Sequence, residues 1–240
     1  QNSLASTNKA LSSSMTKLGT GYRVNSAMDD AAGLQIATRL NAQTSGMKVA
    51  QKNTQNGISM LQTAEGALSE ISNMLIRMKD LATEAATATS SANDITAMAA
   101  EYDALTAEIT SIKTNTKFGG TALLAANQAW TFQTGASGAE TYAFTATTFS
   151  QTAVAFTNAA TATTAMGALD TDIAAISTLR SSFGAAANRL EHVYNNLGNM
   201  VQNTEAAKGR IMDVDYASET ANMTNKQMLM QARSEERRVG

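Results

Sequence analysis

Cysteine and proline are both missing from the 240 residues, and histidine and tryptophan occur once each. Without cysteine there is no disulfide, no thiolate metal site and no thiol nucleophile. Such a chain suits the cytosol, or an outside location where assembly replaces cross-links as the source of stability. Without proline nothing interrupts a helix interior by ring geometry. Aromatic residues are also scarce, at 5% against 43% apolar residues in all. The apolar content is therefore Ala, Leu, Ile and Met, which suits helix–helix packing better than a sheet core. No run approaches the ~18 consecutive apolar residues of a membrane span. A formal charge of −2 offers no basic field for nucleic acid or an anionic membrane, so neither is expected as a partner. The opening QNSLASTNKAL lacks the basic-then-apolar order of a cleavable signal.

What is present is helical periodicity. Leu4, Leu11, Met15 and Leu18 are spaced 7, 4 and 3 apart and predict a short amphipathic helix over 3–18. GTGYRVNS at 19–26 interrupts it, and VNSAMDDAAGLQIATRL follows at 24–40. Two adjacent acids, Asp29 and Asp30, raise the question of a metal or acid/base site. The spacing favours a helix start instead. Ser26 stands three residues before Asp29, like a capping box, and negative charge is favourable in a helix's first turn. From 31 to 88 the pattern hardly stops. Leu61, Ala64, Leu68, Ile71, Leu75, Met78, Ala82 and Ala85 alternate by 3 and 4, a heptad seam for winding on partner helices. At 1.5 Å per residue this segment is roughly 85 Å long and needs neighbours along its length. Glycines inside it, Gly33, Gly46, Gly57 and Gly66, point to close backbone approach or local curvature.

ATSSAND at 88–94 reads as a turn, with Asn93 or Asp94 capping a third helix over about 95–114. Its stripe is Ile95, Met98, Tyr102, Leu105, Ile109 and Ile112. KFGGTALL at 117–124 ends it in a short hairpin. In 130–156, Trp130 and Phe132 answer Tyr142 and Phe144 across a glycine-containing turn, a β-hairpin pattern. A last long helix is expected over 164–207, its seam Leu169, Ile173, Ile176, Phe183, Ala187, Leu190, Tyr194, Leu197 and Val201, with Arg180 its one charged position. GRIMDVDYASE at 209–219 is a second acidic interruption, followed by a helical stretch over 217–232. The order is nearly mirrored, so the two ends should lie side by side.

Catalysis finds little support. The one histidine, His192, sits beside Glu191 without the second His that a zinc-protease helix requires. No nucleophile elbow accompanies it. A solvated or interface histidine, no cofactor and no enzyme activity are the expectation.

SLASTNKALSSSMTKLGTGYRVNSAMDDAAGLQIATRL, NGISMLQTAEGALSEISNMLIRMKDLATEA and TNTKFGGTALL resemble the N-terminal half of bacterial flagellin. FGAAANRLEHVYNNL and RIMDVDYASETANMTNKQMLMQA resemble its C-terminal half. The likeness covers roughly 1–125 and 165–232. It implies a mainly α fold: an elongated bundle of long antiparallel coiled-coil-like helices with a small β-hairpin region in the middle of the chain. It implies an inner terminal-helix domain with linkers from 1–30 and 210–240, a helical rod from 31–125 and 164–209, and a short variable outer region at 126–163. That middle is too short for the protease domain some relatives carry. The charged RSEERRVG end reads as a solvated tail, and both ends read as truncated against the family pattern.

The resemblance further implies a self-assembling structural subunit of the flagellar filament, serving motility. It would be exported by the type III apparatus without a cleavable signal and located outside the cell. The partners would be further copies of the chain, an export chaperone and a cap protein. A hook–filament junction protein shares the terminal domains and is the alternative. Linker and assembly candidates are Asp29, Asp30, Gly33, Asp213 and Asp215. A host Toll-like receptor or a plant immune receptor is a further possible partner. For the first, Arg77 and Leu81 match the family's central arginine and leucine, Glu108 an acidic contact, and Ile76 replaces the glutamine of the immune-active pattern. For the second, the matching segment is 16–37, with Lys17, Asp29, Asp30 and Gly33.

Overall fold

The computed structural model describes residues 2–125, 128–152 and 154–239; the side chains of 2–4 and 233–239 are outside the described set. In chain order the elements are α1 (Asn2–Thr20), α2 (Ala31–Ala85), α3 (Ala92–Asn115), β1 (Lys117–Phe118), β2 (Thr121–Ala122), β3 (Gln128–Gln133), β4 (Thr141–Ala146), α4 (Ala159–Met212) and α5 (Tyr216–Val239). The class is mainly α, with two small antiparallel hairpins, β1–β2 and β3–β4. Two compact units result. One comprises 49–197, the other 1–48 together with 198–240.

In the 49–197 unit the heptad seam of α2 is the core. Leu61, Ala64, Leu68, Ile71, Leu75, Met78, Ala82 and Ala85 are each at most 1% exposed. Burial of each Leu or Ile stabilises by about 1.5–3 kcal/mol. The stripe of α4 lies one residue away from expectation at three positions. Asp172, Leu179 and Ala186 are buried, whereas Ile173, Arg180 and Ala187 are half-buried. A carboxylate at 172 hid the true phase. Its burial is offset by the Thr152 N–H, which donates to both carboxylate oxygens at 2.9 and 3.1 Å. Arg180 reaches from the seam's edge to Glu65, placing Nε and Nη2 on one oxygen at 3.0 and 2.8 Å.

The α3 helix starts earlier than expected. Its N-cap is Ser91, not Asn93 or Asp94, and Asp94 closes a reciprocal capping box from the third position. The serine hydroxyl accepts the Asp94 N–H while the carboxylate accepts the Ser91 N–H, so two orphan donors are satisfied at once. Likewise α4 begins at Ala159 rather than 164, because the Asn158 side chain accepts the Thr161 N–H at 3.0 Å. At β1–β2, Gly119 and Gly120 take φ of 56° and 87°, the two positive values a tight hairpin turn demands. The β3–β4 register pairs Trp130 with Phe144 and Phe132 with Tyr142. Those rings face inward, Trp130 and Phe144 both meeting Phe183 edge-on at 6.1 and 5.1 Å. The hairpin seats on α2 at Gly57, where a Cβ would stand 2.9 Å from the Phe132 ring.

In the other unit, α1 and α5 pack antiparallel, with Lys226 Nζ donating to Ser14 Oγ at 3.1 Å. The two chain ends therefore lie together, as the mirrored order requires. The α5 helix runs on to Val239 through the charged segment expected as a tail; the side chains of 233–239, and that of Leu4 at the other end, are outside the described residues. Among the described residues of this unit the buried apolar side chains are Val24, Ala37, Met47 and Val201.

Candidate assembly site

The acidic pair at 29–30 serves the backbone. Asp29 Oδ2 accepts the N–H groups of Asn25 and Ser26 at 3.1 and 2.9 Å and the Ser26 hydroxyl at 3.2 Å. The box expected between Ser26 and Asp29 is thus a closed turn ahead of the helix. These backbone donors hold the Asp29 carboxyl below its ordinary range. Asp30 is the true cap of α2. Its Oδ1 accepts the Gly33 N–H at 2.8 Å and its carbonyl the Leu34 N–H at 3.0 Å. Gly33 fits because a Cβ there would lie 2.4 Å from Asp30 Oδ2. Both carboxylates are thus engaged as acceptors of local N–H groups, Asp29 within the turn and Asp30 at a donor that the helix start leaves open.

The second acidic interruption repeats the device. Asp215 accepts the Ser218 hydroxyl at 2.6 Å and the Ala217 N–H at 3.1 Å, capping α5. The Ser218 side chain, then the Ser218 and Ala217 backbone, lower its pKa. Asp213 acts through its main chain, closing α4 by donating its N–H to the Gly209 carbonyl at 2.8 Å.

The fold joins the two interruptions. Arg23 N–H donates to the Met212 carbonyl at 2.6 Å, and Val214 N–H donates to the Gly21 carbonyl at 3.0 Å. This forms an isolated antiparallel bridge centred on Tyr22 and Asp213. The Arg23 guanidinium adds a bond to the Ile211 carbonyl at 2.7 Å. Gly21 has φ 75°, and the Tyr216 hydroxyl occupies the space 2.8 Å from where its Cβ would be. Gly21, Arg23 and Tyr216 were not singled out by sequence reasoning. The glycine-rich GTGY stretch was the available signal, but its partner lies nearly 200 residues away along the chain.

Beyond the bridge, α1 and α5 bury little. Among their described side chains only Ser14 is buried, while Met15, Tyr216, Met228 and Leu229 are each more than half exposed. Among the described residues no helix is long and apolar enough to cross a membrane.

The receptor candidates sit in the 49–197 unit. Arg77 is exposed on α2 and pairs with Glu101 on α3 at 2.8 Å. Glu108 is exposed on α3. Leu81 is 2% exposed and belongs to the core. A four-residue spacing is a 400° rotation, and that 40° offset separates a surface arginine from a buried leucine. His192 is exposed on α4.

Comparison with known proteins matches both halves. The bacterial flagellin N-terminal helical region matches residues 1–129, and the bacterial flagellin C-terminal helical region matches 166–235. A flagellin of Halalkalibacterium halodurans is 39% identical over 226 residues, 91% of this chain and 83% of that protein. One from Bacillus subtilis is 35% identical, covering 96% of this chain and 89% of that protein. Flagellin C of Vibrio cholerae is 47% identical over 141 residues, but the chain spans only 37% of its length. Among solved structures, the Bacillus cereus flagellin crystal structure aligns with a TM-score of 0.57 at 36% identity, over 61% of this chain and 88% of that one. A putative flagellar hook-associated protein from Vibrio parahaemolyticus aligns with a TM-score of 0.66 over 77% of this chain and 100% of that one. At 14% identity that second likeness concerns the fold alone. With both terminal regions matched in order and two relatives aligned over most of their length, the chain belongs to the bacterial flagellin family.

Proposed function

We propose that the chain is a structural subunit of a bacterial flagellar filament, joined to further copies of itself through its terminal helices and paired linkers. One observation carries this. Helices α1 and α5 span 19 and 24 residues, yet hold a single buried residue among their described side chains. Helices owe most of their stability in proteins to packing of an apolar face, and among the described side chains the pairing of α1 with α5 covers that face only in part. Copies of the same chain supply the rest. Each Leu or Met fully buried between subunits adds about 1.5–3 kcal/mol, and a polymer repeats that gain at every contact. Flagellins are a structural family, and the role needs no cofactor. The same reading places the subunit outside the cell after type III export, with an export chaperone and a cap protein as transient partners.

Electron microscopy of the concentrated, purified full-length gene product tests it. Helical filaments are expected. A solution that stays monomeric, even when seeded with filament fragments, refutes the assignment. A second role as an immune-receptor ligand is favoured by the exposure of Arg77 and Glu108 on successive helices. In that role Leu81 acts from beneath, by supporting the helix surface, and Arg77 makes the contact.

A further inference from the structure

Met28 is 91% exposed, more than any other large apolar residue among those described. It does not sit on a loose loop. The turn carrying it is closed by the Asp29 carboxylate on Asn25 and Ser26, and the Met28 N–H itself donates to the Ser26 hydroxyl at 3.3 Å. Because the backbone of the turn is already ordered, a partner that covers Met28 has only its side chain left to immobilise. The same unit holds an open groove of about 230 Å³ lined by Tyr22, Leu34, Ala37, Thr38, Lys208 and Met212. This is below the roughly 300–1,000 Å³ of small-molecule sites and of the scale of one long side chain. Charge agrees with the pairing. Met28 precedes two carboxylates, Asp29 and Asp30, whereas the groove's one charged lining residue is Lys208.

We propose that Met28 of one copy seats in the Tyr22–Leu34–Met212 groove of the next. A protrusion and a recess at different places on one surface make a heterologous contact. Such contacts need not close, and when they do not they generate an open helical array. The inference rests on the filament reading and names a contact within it. The groove is polar at one rim, where Lys208 Nζ donates to Asn41 Oδ1 at 3.3 Å. A thioether enters that setting easily, because methionine is flexible and polarizable.

No cysteine occurs within these 240 residues, so the introduced thiols have no competitor among them. The full-length gene product carrying both Met28→Cys and Thr38→Cys is assembled and treated with a short bis-maleimide. A ladder of covalent oligomers is expected from the double variant and from neither single variant. In parallel, Met28→Lys should raise the concentration needed for assembly by tenfold or more, and Met28→Leu by less than threefold. Circular dichroism should show equal helicity in both. Filaments that form without a ladder, or a Met28→Lys chain that assembles like the parent, overturn the contact and leave the filament reading standing. A parent chain that never polymerises overturns both.

Discussion

Substituting Gly33 by alanine should show that the start of α2 is a coupled pair rather than two independent residues. Alanine is favoured over glycine in a helix by about 0.8–1 kcal/mol, so an isolated view predicts a stabilised protein. In the structure a Cβ at 33 would stand 2.4 Å from Asp30 Oδ2. The carboxylate must swing away and give up its bond to the residue-33 N–H. Loss of an N-cap costs about 1 kcal/mol, within a range of 0.5–2. The two effects cancel, and Gly33→Ala should leave stability within about 0.5 kcal/mol of the parent. Asp30→Ala alone should cost about 1 kcal/mol. In the double variant no carboxylate remains to collide, so the alanine's full helix advantage returns and restores about 1 kcal/mol. Urea unfolding of the four proteins measures the cycle, with hydrogen exchange of the Leu34 and Gln35 amides locating the effect. A coupling of about 1 kcal/mol is expected. If Gly33→Ala stabilises by the same amount with and without Asp30, the cap and the glycine are independent and the reasoning fails.

Asp172 and the exposed carboxylates of the turns and helix starts should respond to pH with opposite signs. Burial raises the Asp172 pKa above 3.8, against the opposing pull of Thr152 and Lys113. Its contribution is fully present below 3.8 and is lost as pH rises through the higher folded value. Asp172→Asn should remove that loss, and a stability–pH profile no flatter than the parent's would contradict it. Asp29, Asp94 and Asp215 have lowered values, so what they contribute is present above 3.8 and disappears as pH falls through their folded values. Phe183→Ala removes a ring that both Trp130 and Phe144 meet edge-on. It should cost about 3–5 kcal/mol and shift emission of the single tryptophan to the red; unchanged fluorescence would show that the hairpin seats without it. Arg77→Ala should abolish most receptor activation in a reporter-cell dose series while barely changing stability, as befits an exposed ion pair. An unaltered dose response removes Arg77 from the contact.

The long helices were legible because periodicity is a local property. An apolar residue every three or four positions names a face whatever the rest of the chain does, and Leu61 through Ala85 became the core of their unit. The two hairpins were legible for the same reason, since paired glycines and alternating aromatics act over a few residues. Asp172 broke the rule that apolar residues mark the seam, and the stripe of α4 was accordingly read one residue off at three points. Nothing local reveals that the Thr152 amide would be waiting for that carboxylate. Capping was recognised in kind but misplaced by a residue or more at α2 and α3, and α4 was expected to start at 164 rather than at Ala159. Ser, Asp and Asn neighbours compete for the same backbone donors, and only the final geometry selects among them.

By itself, the order of residues determined the helical class, the family and the acidic character of both interruptions. Only the folded chain decided that Gly21 and Arg23 meet Met212 and Val214, that Leu81 is interior while Arg77 is not, and that Met28 stands clear of the surface. The physical reason is range. Helix propensity and periodicity act within a turn or two of chain, whereas burial and long-range hydrogen bonds depend on which distant segments arrive at the same place.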